Sequence, residues 1–231
     1  MNAMKEQFLN GEIILIDKPL GWTSFQVVNK IRWLIRSTFG IKKIKVGHAG
    51  TLDPLASGLL ILCTGKMTKS IEQFMGQEKE YTGTFTLGAT TPSYDLETEI
   101  DHTFPTDHIT EELLQTTLDQ FVGTIDQYPP VFSALKKDGK RLYEFAREGV
   151  EVEIPTRKVT IHSFELTQKA ISKVDFKVIC SKGTYIRSLA NDYGKALNSG
   201  AHLSALRRTR IGKFNIEQAV SIEDFEKQLK K

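Results

Sequence analysis

Gly47-His48-Ala49-Gly50-Thr51-Leu52-Asp53-Pro54-Leu55-Ala56-Ser57-Gly58-Leu59-Leu60 is the stretch from which the rest of the chain can be read. One carboxylate, Asp53, sits among three glycines, a proline and small side chains, and an apolar run starts at once after it. Glycine permits the tight backbone by which a loop approaches a ligand closely. Pro54 removes an N–H donor and holds Asp53 out of the α region. The run from Leu59 to Cys63 reads as a buried strand that anchors the loop. The pattern describes a single acid held at the lip of a core strand. Standing alone, an Asp-Pro pair is more often only a turn.

The 231 residues can bury a sizeable core, as one large domain or two small ones. A hydrophobic content of 40% with 26% charged residues excludes a disordered or membrane-embedded class. No apolar stretch reaches the ~20 residues of a membrane helix, and Met1 to Asn10 carries no signal-peptide pattern. A cytoplasmic protein is expected. Cys63 and Cys180 lie in apolar, strand-like runs and read as reduced core residues. Five scattered histidines without HExxH or paired CxxC spacing argue against zinc.

The net charge of +3 averages over strong segregation. Lys30 to Lys45 holds six basic residues and no acid, whereas Asp95 to Asp126 holds nine acids and no Lys or Arg. Lys136, Lys137, Lys140, Arg141 and Arg147 form a second basic cluster, and Arg207, Arg208, Arg210 and Lys213 a third. Each run alone is commonly a solvated face. Three of them, with the acids gathered elsewhere, suggest a surface that meets a polyanion.

Periodicity supplies the elements. Ile13 to Ile16 reads as a strand, Thr23 or Ser24 caps a helix through Val27, Val28, Ile31, Leu34 and Ile35, and Met67 to Phe74 reads as a short helix. Tyr81, Gly83, Phe85 and Leu87 alternate with threonines as a half-buried strand. Thr110 opens a helix running to Phe121, and another is expected around Leu142 to Glu148. Val159 to Leu166 pairs with Val174 to Cys180. A helix through Ile186, Leu189, Ala190 and Tyr193 is closed by Gly200. A strand around Leu206 to Ile211 and a helix from Ser221 finish the chain. Irregular alternation with hairpin-like pairs predicts an α+β fold on a mainly antiparallel sheet.

The block around Asp53 resembles the catalytic motif of pseudouridine synthases. In the form Gly-His-x-Gly-x-Leu-Asp-Pro-x-Ala-x-Gly it resembles the TruB family, the branch that modifies uridine 55 in the T arm of tRNA. The ribosomal-RNA branches usually place Arg two residues before the acid, where this chain has Thr51. The resemblance runs from about Gly11 to Phe225 and implies a large bent mixed sheet flanked by helices, with an RNA cleft across its middle. It implies an enzyme without metal or redox cofactor that flips the target base and breaks its glycosidic bond. The base is then rejoined through C5.

The resemblance also distributes roles. Asp53 becomes the nucleophile, Arg187 its ionic partner, Tyr81 the ring that stacks on the target base and joins in proton transfer, and Tyr185 a wall of the pocket. His48 enters the T loop beside the flipped nucleotide. Leu206 lines the uracil pocket, Arg207 and Arg208 face phosphate, and Lys18 and Lys69 make phosphate or structural contacts. Residues 128–153 correspond to a thumb loop that clamps the T arm, with Lys136, Lys140 and Arg141 suited to its backbone. Residues 1–10 are expected as a flexible tail and 11–231 as one catalytic domain, without a separate C-terminal RNA-binding domain. The T-arm stem-loop is the expected partner of a monomer that needs no obligate protein partner. Alternatives are a non-catalytic RNA-folding module in the same cleft, a synthase acting on another RNA or with a guide RNA, and an aspartyl-phosphate phosphotransferase, which would need a carboxylate cluster for magnesium.

Overall fold

Helical and strand periods alternate along the first part of the chain, and the elements follow them. The computed structural model describes residues 2–133, 135–137, 139–150, 152–170 and 172–230. Helix α1 (Asn2–Asn10) is followed by β1 (Ile13–Lys18), α2 (Ser24–Phe39), β2 (Val46–His48) and β3 (Ala56–Thr64). A 3-10 helix (Gly65–Ser70), α3 (Ile71–Met75) and β4 (Lys79–Leu87) come next. Then follow β5 (Ala89–Thr90), β6 (His102–Thr103), α4 (Glu111–Asp119), β7 (Gly123–Gln127), β8 (Lys136–Lys137), β9 (Lys140–Arg141) and α5 (Leu142–Arg147). The chain closes with β10 (Arg157–Ala170), β11 (Lys173–Cys180), α6 (Ile186–Ala196), β12 (Ala201–Ile211), β13 (Phe214–Asn215) and α7 (Ile222–Leu229).

The main sheet has the order β1-β3-β12-β4-β11-β10-β7, with β2 on β3 and β13 on β12. Its registered pairs are antiparallel, in keeping with the α+β expectation. The chain divides into two compact units, 1–81 with 207–231, and 82–206.

In the first unit, α2 begins with a reciprocal cap: Thr23 Oγ1 accepts from Gln26 N–H at 3.0 Å, and Gln26 Oε1 accepts from Thr23 N–H at 2.7 Å. It ends at Gly40 in the left-handed region, φ 61°. Its buried face, Val27, Val28, Ile31, Leu34 and Ile35, packs with Leu60 and Leu62 of β3 and with Ile222, Phe225 and Leu229 of α7. Leu59, Ile61 and Cys63 enter a second cluster with Ala49 and Ile211. Burial on both faces explains why β3 reads as an unbroken apolar run. Residues 2–10, expected as a tail, instead form α1, whose Phe8 is buried with ring centroids 5.8 Å from Phe39 and 6.3 Å from Phe225.

The second unit is built on an aromatic cluster. Phe85 lies 4.2 Å from Phe176 and 5.9 Å from Tyr193, and Phe164 meets Phe85, Phe176 and Tyr193. The Tyr193 hydroxyl donates to Leu114 O at 2.7 Å, joining α6 to α4, and burial pushes its pKa upward. Helix α4 stops at Asp119, short of Phe121. Helix α6 ends at Ala196, and the left-handed residue after it is Asn198, φ 52°, rather than Gly200. A side chain at Gly200 would meet Phe104 Cδ2 at 2.5 Å, so packing demands that glycine. The expected helix from Met67 to Phe74 is divided into the 3-10 turn and α3.

Candidate active site

The loop carrying Asp53 is fixed from several sides, all within the first unit. Its entry is β2, paired with β3 so that His48 faces Leu62, and Ala49 N–H donates to Ile61 O at 2.9 Å. Leu52 is buried, and its N–H and C=O both bond the Ser24 hydroxyl, at 2.8 and 3.0 Å. After the acid, Gly21 N–H donates to Pro54 O at 2.8 Å, and Ala56 N–H to Asp53 O at 3.1 Å. Asp53 itself is half-buried.

Arg208 holds the loop from beneath. It is 1% exposed, donating from Nε to Leu59 O at 2.8 Å and from Nη2 to Gly50 O at 3.0 Å. Gly58, φ 102°, is required by the approach of Arg208, whose carbonyl oxygen would lie 2.3 Å from an added Cβ. The expectation that Arg208 faces phosphate is therefore corrected: its guanidinium serves the protein's own carbonyls. Arg207 makes a bidentate pair with Asp17, at 3.1 and 2.7 Å. Arg210 bonds Glu78 at 2.7 Å.

Lys18 is fully buried, with Nζ on Pro19 O at 3.0 Å and Trp22 O at 2.5 Å. Of its two expected roles, this geometry supplies the structural one. Burial lowers its pKa to about 8, with the Asp53 carboxylate opposing and the Arg208 guanidinium adding to the fall. His48 is likewise held below the usual imidazole range, by burial and then by Arg208, against a smaller opposing pull from the Gly50 backbone. Among the described residues its Nδ1 is buried with no partner in full hydrogen-bond geometry. A neutral ring at the loop's entry suits contact with a base. Tyr81 is buried on β4, and Lys79 beside it is buried with Nζ on Met75 O at 2.6 Å. Lys69 is exposed on the 3-10 turn.

In the second unit, α6 carries Arg187 in its first turn. The guanidinium is buried, with Nε 3.6 Å from Asp95 Oδ2 and Nη1 donating to Ser93 O at 3.2 Å. Asp95 is a supporting residue, in the place the family resemblance expects, to which the sequence reading assigns no role. It lies in the acid-rich run, which reads as surface, yet it is 5% exposed and also accepts from Glu97 N–H at 3.0 Å. Tyr185, half-buried, has the Arg157 guanidinium 5.4 Å from its ring centroid. Gln127, fully buried, exchanges two hydrogen bonds with the Tyr185 backbone, Nε2 to O at 3.1 Å and N–H to Oε1 at 2.8 Å. Ser188 Oγ donates to the neighbouring Tyr128 O at 2.6 Å. Leu206 is half-buried on β12.

The segment expected as a thumb contains the β8–β9 hairpin and α5. Lys140 pairs with Glu148 and lies 4.8 Å from the Phe145 ring centroid, Arg147 pairs with Glu97 at 3.4 Å, and Arg141 is exposed. The Lys136 side chain and Asp138 lie outside the described residues. Among the described residues, no group of His, Cys, Asp and Glu is placed to hold a metal ion, and no helix is long and apolar enough to cross a membrane.

Comparison with known proteins bears on this geometry. Residues 36–186 match the N-terminal domain of TruB family pseudouridylate synthases, and residues 187–231 match the C-terminal domain of tRNA pseudouridylate synthase B. The tRNA pseudouridine synthase B of Flavobacterium johnsoniae is 62% identical over 225 residues, covering 97% of this chain and 98% of its own. That of Phocaeicola vulgatus is 57% identical over 218 residues, covering 94% and 93%. Among solved structures, a chain of a Cbf5–Nop10–Gar1 complex is 30% identical with a TM-score of 0.73. The match covers 97% of this chain and 56% of that one, so this chain spans little more than half of that structural relative.

Proposed function

The chain belongs to the TruB family of pseudouridylate synthases, and from that premise we propose that it isomerises uridine 55 in the T arm of tRNA to pseudouridine, with Asp53 as the acting carboxylate. The observation that carries the reading is the loop itself. A half-buried acid stands between neighbours locked by Ser24, Gly21 and Arg208, in a chain 62% identical over 97% of its length to a tRNA pseudouridine synthase B.

The chemistry follows from what each group can do. The target uridine leaves its stack, at a cost of a few kcal/mol. Neutral His48 occupies the space beside it. Asp53 acts as nucleophile or as the charge opposite a developing cation while N1–C1′ breaks. The uracil turns, C5 bonds to C1′, and the C5 proton is lost while N1 gains one. Tyr81 stacks on the ring and its hydroxyl relays that proton. Arg187, oriented by Asp95 and the Ser93 carbonyl, is the cation that the family resemblance assigns to the acting acid. Tyr185 and Leu206 bound the uracil. Arg141 and Lys69, exposed on the surface, contact phosphate together with Lys136 and Lys140.

Site-resolved pseudouridine mapping on an unmodified tRNA transcript, with purified protein and no added cofactor, tests the reading. Position 55 alone is converted by the wild type. Asp53→Asn binds the tRNA and converts none. Conversion at other positions, or turnover by Asp53→Asn beyond a few per cent of wild type, overturns it.

A further inference from the structure

Beside the catalytic loop the first unit keeps an apolar surface that the chemistry above leaves unused. Leu20 is 65% exposed, Phe25 63%, Leu55 38% and Trp22 37%. These side chains sit on two segments locked to each other. Gly21 N–H bonds Pro54 O at 2.8 Å, Ser24 Oγ bonds both backbone groups of Leu52, and Lys18 Nζ holds the Trp22 carbonyl from below. The four are thus fixed to the residues immediately before and after Asp53. Phe25 contributes nothing to the buried face of α2, whose core packing is complete without it. Large exposed apolar groups gathered in one place mark a binding surface rather than ordinary scatter.

The surroundings select the occupant. From Lys18 to Lys45 the chain has seven Lys and Arg and no Asp or Glu. Arg36, Lys42, Lys43 and Lys45 are exposed, and Lys30 Nζ stands 4.8 Å from the Trp33 ring centroid. Aromatic faces in a cationic, acid-free field suit a polyanion that carries flat apolar rings, which is single-stranded nucleic acid. A base drawn out of a loop also deprives its neighbours of a stacking partner. We propose that Trp22 and Phe25, bordered by Leu20 and Leu55, form a stacking shelf that receives a loop base adjacent to the target uridine. The shelf compensates that base for its lost neighbour and favours loops able to splay in this way. This inference rests on the RNA reading given above.

The chain has two tryptophans, Trp22 and Trp33, so Trp33→Phe leaves Trp22 as the single indole. In a Trp33→Phe, Asp53→Asn protein, a T-arm stem-loop quenches Trp22 fluorescence on binding. An abasic residue at one position adjacent to the target removes the quench and weakens binding about tenfold or more. Adding Trp22→Ala weakens binding of the intact stem-loop equally and costs nothing further with the abasic one. Trp22→Phe restores most of the affinity. Phe25→Ala gives a second cycle that does not depend on how Trp22→Ala folds. Binding without a quench, or losses that simply add, overturns the shelf alone. Unchanged affinity in both alanine variants also overturns it and assigns the surface to a partner other than RNA. A parent protein that binds no stem-loop overturns the RNA reading and the shelf with it.

Discussion

Two basic stretches of the first unit look alike in sequence and differ in use. In the stretch from Lys30 to Lys45, Arg36, Lys42, Lys43 and Lys45 are exposed, without carboxylate partners among the described residues. In the stretch from Arg207 to Arg210, Arg207 is bound by Asp17, 190 residues away in sequence, Arg208 is buried under the Asp53 loop, and Arg210 is held by Glu78. The first stretch presents charge to solvent. The second turns its charge inward, fixing Gly50 and Leu59 around the acid. A run of arginines is therefore not a phosphate track until the acids and carbonyls that reach it have been subtracted.

Arg208→Ala presses hardest on this contrast. It strands two buried carbonyls and leaves a cavity, which together cost about 3–5 kcal/mol. Thermal or denaturant unfolding measures that loss, and the surviving folded protein has little turnover because its loop is unheld. A variant of wild-type stability and activity would return Arg208 to the surface class.

Lys18 gives the next effect, because it too is an inward cation. Burial lowers its pKa from 10.5 to about 8. Between those values the unfolded chain holds a proton that the folded chain lacks, so unfolding takes up a proton and stability rises with pH. The slope is at most about 1.4 kcal/mol per pH unit for one group. Lys18→Met removes that part of the slope and costs about 1–3 kcal/mol through the carbonyls of Pro19 and Trp22. Denaturant titrations on either side of the lowered pKa compare the two proteins, and equal slopes would exclude Lys18 as the source.

Outward cations should behave in the opposite manner. Lys42, Lys43 and Lys45 changed together to Gln leave the thermal midpoint unmoved and reduce the salt dependence of RNA binding. The logarithmic slope falls by roughly 0.7–0.9 for each phosphate that is no longer neutralised. Smallest is Arg207→Gln, which gives up a partly exposed ion pair, about 1 kcal/mol of stability or less, with the salt slope almost unchanged. A larger drop in slope for Arg207→Gln than for the triple variant would invert the comparison.

What the sequence makes legible follows the range of the interactions. Caps, amphipathic faces and the alternation of β4 depend on residues a few positions apart, and α2, β3, β4 and the β10–β11 pair lie where their patterns place them. Asp53 is marked by its glycines and proline, which act locally. Sequence reasoning fails where the deciding partner is distant. Helix α1 has little amphipathic contrast, and its place is set by Phe39 and Phe225 meeting Phe8. Arg208 reads as solvent-facing because Gly50 and Leu59 are remote in sequence. Asp95 is hidden among exposed acids until Arg187 and Ser93 enclose it.

Gln127 stands just before the segment proposed as a thumb, and its side-chain amide serves Tyr185 as one rung of a β-ladder would. Beyond it the backbone supplies one further bond to α6, Tyr128 O accepting from Ser188 Oγ. With those bonds made at Gln127 and Tyr128, a change in the segment after Tyr128 is expected to leave the residues opening α6 in their seat, as a changed tool leaves its chuck. If the segment grips RNA as proposed, variation in grip is thereby separated from variation in chemistry, and a lineage, or an engineer, can revise the first without reopening the second.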